Sequence, residues 1–122
     1  MAVCGMKKTI NAIIFKMDTV TDLRLRLSPI FRQYKVRKAI LFGSIARGEE
    51  TRHSDVDLIL IQNTRKRFLK RYDGLLFALV QAAGKYAVDA LIYTPRELEA
   101  IKERKFIRRA LSEGITLYES DK

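Results

Sequence analysis

The tightest constraint on this chain lies between residues 37 and 61, where two apolar runs are joined by a polar segment that opens on Gly43-Ser44 and closes on Asp55-Val56-Asp57. The first run, Arg37-Lys38-Ala39-Ile40-Leu41-Phe42, ends in residues typical of a buried strand, and Gly43-Ser44 is where such a strand must turn. The second run, Asp55 to Ile61, is polar at its entry and continuously apolar afterwards, the pattern of a central strand covered on both faces. Side chains alternate along a strand, so Asp55 and Asp57 face the same way with Cα atoms ~6.6 Å apart. If Ser44 to Arg47 begins a short helix, its amide groups and positive dipole end offer an anion site over the end of the first strand.

Two bare carboxylates about 5 Å apart repel by roughly 3 kcal/mol at an effective dielectric constant near 20, so the pair stabilises nothing by itself. A hard divalent cation, magnesium first, reverses that sign. Asp89 lies inside another apolar run, Tyr86 to Tyr93, where an unpaired charge is costly, and it suits the same cation. Arg47 fits either a phosphate contact or a solvated face, and Ser54 reads as a turn or capping residue. His53 stands in a polar loop with no cysteine or histidine cluster around it, which argues against a structural zinc site.

Periodicity places helices around these strands. Leu23, Leu27, Ile30, Phe31 and Tyr34 recur at helical spacing over Thr19 to Tyr34, although Ser28-Pro29 predicts a kink or restart. A second helix is expected over Arg67 to Ala83, with Phe68, Tyr72, Leu75, Leu76, Leu79 and Val80 on one face and Gly84 as its C-terminal cap. Thr94-Pro95-Arg96-Glu97 has the form of a capping box and starts another helix, which Phe106 to Ser112 continues or resumes. Gly114 stops it, and Ile115-Thr116-Leu117-Tyr118 alternates like a short final strand. The expected fold is α/β, a small mixed β-sheet flanked by helices.

With 122 residues and 48% hydrophobic composition the chain supports one domain, residues 18–122, behind an N-terminal extension over 1–17. Within that extension Thr9 to Lys16 is apolar enough to form a strand or to pack. Cys4 is the only cysteine and excludes an intramolecular disulfide. Met1 to Gly5 followed by Lys7-Lys8 has neither the charge order nor the apolar length of a signal peptide, and no stretch is long enough to span a membrane, so the cytoplasm is the expected location. The net charge of +10 implies acidic partners. Arg65, Lys66, Arg67, Lys70 and Arg71 cluster near an expected helix N-terminus, where each cation opposes the dipole by about 0.3–1 kcal/mol. They form either a solvated face or a contact for phosphates or acidic protein, and charge alone predicts nonspecific, salt-dependent contact with nucleic acid.

Gly43-Ser44, Ala46-Arg47-Gly48, Ser54-Asp55 and Asp57-Leu58 together resemble the signature of the DNA polymerase β-like nucleotidyltransferase superfamily, in its minimal branch. The resemblance extends from about Asp18 to Tyr118. It implies the minimal polymerase β-like fold, and it implies that Asp55 and Asp57 ligate two divalent metal ions, Mg²⁺, while Asp89 completes the site and helps activate the attacking hydroxyl. Gly43 and Ser44, with Arg47, would hold the triphosphate of ATP. The implied reaction is nucleotidyl transfer with release of pyrophosphate. Stand-alone proteins similar to this one are commonly paired with a small helical protein of the HEPN family, and as antitoxins transfer AMP from ATP onto a tyrosine of that toxin, which makes this the expected function. Transfer to a small hydroxyl compound or a nucleic-acid end, and a binding module that neutralises its partner without catalysis, are the alternatives.

Overall fold

The computed structural model describes residues 19–121. The expected extension over 1–17, with Cys4 and the apolar stretch Thr9 to Lys16, lies outside the described residues.

A four-stranded sheet forms the centre, built from β1 (Val36–Phe42), β2 (Val56–Gln62), β3 (Val88–Tyr93) and β4 (Ile115–Glu119) in the spatial order β3-β2-β1-β4. β1 pairs antiparallel with β2 and with β4, and β2 pairs parallel with β3, so the sheet is mixed as expected. The period-two pattern then sorts each strand between two cores. Ala39, Leu41, Val56, Leu58, Leu60, Ala90 and Ile92 join Leu23, Leu27, Phe31, Leu75 and Leu79 on one face. Ile40 and Ile59 join Ile107 and Ala110 on the other.

Residues 19–33 are helical (α1) and run unbroken through Pro29. The helix therefore does not restart at Ser28-Pro29. Proline in a helix interior costs about 3 kcal/mol, whereas Leu23, Leu27 and Phe31 are each fully buried and contribute roughly 1.5–3 kcal/mol apiece, so burial wins. Arg24 of α1 donates from Nε to the Leu117 carbonyl and from Nη2 to the Thr116 carbonyl, both at 3.1 Å, which ties the helix to β4.

The helix expected over Arg67 to Ala83 is two elements. A 3₁₀ turn over Phe68–Tyr72 is followed by Asp73-Gly74 and then by α2, Leu75–Ala83. Gly74 has φ 75°, and a Cβ there would lie 2.9 Å from Tyr34 Oη, so both conformation and space require glycine. The break also rotates the expected apolar face: Leu75, Leu79 and Ala83 are buried, while Phe68 and Val80 are exposed. It further revises the basic cluster. Lys70 and Arg71 occupy the last turn of the 3₁₀ segment, where cations are not disfavoured, and Arg71 is buried.

Thr94 caps α3 (Pro95–Ile101) through the expected box: its hydroxyl accepts from Glu97 N at 3.2 Å, and the Glu97 carboxylate accepts from Thr94 N at 2.9 Å. Both Glu97 oxygens also accept from the guanidinium of Arg71, whose Nε donates to the Lys66 carbonyl and whose Nη1 donates to the Ile92 carbonyl. A short turn follows, and α4 (Lys105–Glu113) is a separate helix, so the helix resumes rather than continues. Gly114 ends α4 as expected but with φ −71°, outside the left-handed region. Its requirement is space, since a Cβ would stand 2.4 Å from Ile40 Cγ2 and 2.7 Å from the Ala110 carbonyl oxygen. No described helix is long and apolar enough to cross a membrane.

Candidate active site

The strand register decides which acidic residues meet. Asp57 is the second residue of β2; it stands opposite Phe42 at the end of β1 and beside Asp89 in the parallel β3 pairing. Asp55 immediately precedes β2. One end of the sheet thus gathers all three expected aspartates, with Asp57 in the cleft beside α4. Asp57 is partly buried, whereas Asp55 and Asp89 are exposed. Burial pushes the Asp57 carboxyl above the usual carboxylate range, repulsion from Asp89 and Asp55 adds to the rise, and Arg47 opposes it.

Gly43 ends β1 with φ 83°, and a Cβ at this position would sit 2.2 Å from Asp57 Oδ2. The glycine is therefore what lets the β1 turn and the central carboxylate share one space. Beyond it the chain makes successive tight turns, with Arg47 N donating to the Gly43 carbonyl at 3.1 Å and Glu49 N to the Ser44 carbonyl at 2.9 Å. The short helix expected from Ser44 to Arg47 does not form; the segment is a turn in which one such bond is not propagated. Ser44 Oγ donates to Ser54 Oγ at 2.9 Å, and Ser54 Oγ also accepts from Thr51 N at 2.8 Å. Ser54 is thus the turn residue that the sequence indicates, and it ties the exit of β1 to the entry of β2. His53 is exposed.

Arg47 reaches the same cleft as Gly43 and Asp57, a cavity of about 270 Å³ whose further walls are Phe42, Phe106, Arg109, Ala110 and Glu113. Its guanidinium pairs with Glu49 at 3.0 Å and with Glu113 at 3.4 Å. Arg109 shares Glu113 at 3.0 Å, and these two arginines, Arg109 first, hold that carboxyl below its usual range. The α4 contribution to the cleft is not an expectation of the sequence, in which Phe106 to Ser112 only continues or resumes α3. A signal exists: once Ile107 and Ala110 are taken as the buried face, Phe106, Arg109 and Glu113 follow at helical spacing on one adjoining side.

Among the described residues no three acidic, histidine or cysteine side chains are grouped so as to hold a metal ion together. The chemistry of the carboxylates suits a hard cation, since Asp57 is repelled by Asp89 and Asp55 when all are bare. Mg²⁺ is commonly bound through one or two carboxylates together with substrate phosphates.

Comparison with known proteins follows the same outline. The family described as Polymerase beta, Nucleotidyltransferase matches residues 26–122. MJ0435 of Methanocaldococcus jannaschii, named as a candidate protein adenylyltransferase, is 32% identical over 74 residues, 61% of this chain and 77% of that protein. MJ0604 of the same organism, named likewise, is 32% identical over 86 residues, 69% of this chain and 80% of its own length. A crystal structure of a toxin–antitoxin with AMP-PNP superposes with a TM-score of 0.58 at 19% identity, over 80% of this chain and 74% of that one. A variant of the toxin–antitoxin MntA-HpeT gives 0.56 at 15% identity with the same coverage, which shows the shared fold.

Proposed function

Because the chain belongs to the polymerase β nucleotidyltransferase family, and is a nucleotidyltransferase, we propose that it transfers AMP from ATP to a tyrosine hydroxyl of a cognate helical toxin of the HEPN type, and so acts as the antitoxin of the pair. The observation that carries this reading is the register Asp57–Asp89, with Asp55 at the strand entry and a glycine turn that leaves room for nothing larger beside Asp57. The relatives named as candidate protein adenylyltransferases favour a protein acceptor, and the toxin–antitoxin neighbours favour a toxin as that acceptor.

In this reading Asp55, Asp57 and Asp89 would hold divalent metal, two Mg²⁺ ions in the full site. When bound, such ions neutralise phosphate charge and lower the pKa of a bound hydroxyl. Gly43 and Ser44 border the triphosphate, and Arg47 exchanges its carboxylate partners for phosphate oxygens. Asp89, exposed at the start of the edge strand β3, accepts the proton of the acceptor hydroxyl. The hydroxyl oxygen forms the new bond to the α-phosphorus, the bond from that phosphorus to the bridging oxygen breaks, and pyrophosphate leaves with the electron pair.

Intact-mass spectrometry of the chain with ATP, Mg²⁺ and its cognate helical protein tests the proposal. Mass steps of one AMP on that protein, absent with Asp57→Asn, support it. An unmodified partner in a stable complex would instead favour neutralisation by binding alone, and adducts on small hydroxyl compounds or nucleic-acid ends without any protein partner would replace the acceptor.

A further inference from the structure

Every other exposed position of α4 is polar or charged, among them Lys105, Arg108, Arg109 and Ser112, yet Phe106 is 59% exposed on its first turn. An apolar ring there does nothing for the helix's buried face, which Ile107 and Ala110 already supply. Phe42 holds it edge-on, with ring centroids 5.7 Å apart and planes at 87°, so an aromatic face is left in the cleft that contains Gly43 and Asp57. The arginines and glutamates of the cleft are engaged with one another: Arg47 and Arg109 share Glu113, and Arg47 also binds Glu49. A planar ligand entering this cleft therefore meets an oriented ring, with the Asp57 carboxylate beside Gly43 in another part of the lining. Its anionic end meets two guanidinium groups.

We infer that Phe106, braced by Phe42, is the stacking platform for the base of the nucleoside triphosphate, and that the base is held by its π-face rather than read at its edges. This deepens the proposed function and rests on it, because the same cleft must take the triphosphate beside Asp57. Stacking on one aromatic ring is sequence-tolerant, since every base has a π-face, and its strength follows the base's stacking area. Purine nucleotides should accordingly bind more tightly than pyrimidine ones, with little separation of adenine from guanine.

The test compares ATP with inorganic tripolyphosphate, which carries the charge but no base, by calorimetric titration of the full chain in Mg²⁺. Phe106→Ala should weaken ATP about 5- to 150-fold, the range for losing one stacked base, and leave tripolyphosphate unchanged, which also reports an intact fold. Since the chain has no tryptophan, Phe106→Trp introduces a single indole whose fluorescence ATP should quench and tripolyphosphate should not. Equal ATP affinity for wild type and Phe106→Ala, with tripolyphosphate still bound, would overturn the platform alone. Binding of neither ligand by the wild type would overturn the nucleotide site on which it rests.

Discussion

At the scale of single residues, Asp57 carries an electrostatic cost in its ionised form. Its carboxyl is raised by burial and by the repulsion of Asp89 and Asp55, so the folded chain holds the proton more tightly than the unfolded one. The native state is thus favoured at low pH by this group, and the advantage is lost as pH rises through the folded pKa. Asp57→Asn should therefore raise the melting temperature of metal-free protein at pH 7 by about 1–3 °C, a small figure because the group is only partly buried, while cutting nucleotidyl transfer by at least about a hundredfold. Thermal unfolding in chelator beside a turnover assay checks both halves, and a loss of stability would contradict the repulsion. Gly43→Ala combines a positive φ with a Cβ 2.2 Å from Asp57 Oδ2. It should cost about 1–2 kcal/mol from backbone conformation alone and also displace the carboxylate, so transfer should fall further than the chemical-denaturation midpoint suggests.

Among the elements, the junction of the 3₁₀ turn with α3 depends on one ion pair. The Arg71 guanidinium, and then the Thr94 backbone, hold the Glu97 carboxyl down at about 2. A depressed carboxylate contributes stability above its unfolded pKa and loses it as pH falls through the folded value, so the window runs from about pH 5 down to pH 2. Breaking a buried pair costs about 3–5 kcal/mol; Glu97 is half exposed and Arg71 keeps two carbonyl partners, so Glu97→Gln should cost about 2 kcal/mol at pH 7. Urea titrations should show the wild type losing its advantage over the variant across that window. A constant difference down to pH 2 would remove Glu97 as the titrating group.

For the whole molecule, the charge is divided between the two ends of the sheet. The aspartates and their cleft occupy the end formed by the exit of β1 and the entries of β2 and β3. Around the grooves at the opposite end stand Arg32, Lys35, Arg37, Lys38, Arg65 and Arg96, against Glu119 and Asp121. With a net charge of +10, this end should give the nonspecific contact with polyanions that the composition implies. Fluorescence anisotropy with a labelled duplex should show affinity falling by at least about tenfold from 50 to 200 mM salt, and Arg37→Glu with Lys38→Glu should flatten the dependence. Salt-independent binding would assign the contact to something other than charge.

The local signals that survive unchanged are those whose physics is complete within a few residues. Strand alternation sorted β2 between the two cores, the Thr94–Glu97 box capped α3, and Gly43 marked the end of β1, because each depends on neighbours within the same turn or strand. What needed the tertiary structure were properties shared between distant segments. Pro29 stays helical because Leu23, Leu27 and Phe31 are buried beneath the sheet; Arg71 leaves the basic cluster because Glu97, on a later element, accepts it; and α2 starts at Leu75 because Gly74 must pass Tyr34. The sequence nominates the three carboxylates by their spacing and apolar runs, but only Asp57 is partly buried; Asp89 is exposed because β3 is an edge strand, so the apolar run around it does not bury its charge. That Asp89 adjoins Asp57, and that Phe106, Arg109 and Glu113 wall the same cleft, is decided by strand register and helix packing, which depend on side chains far apart in sequence.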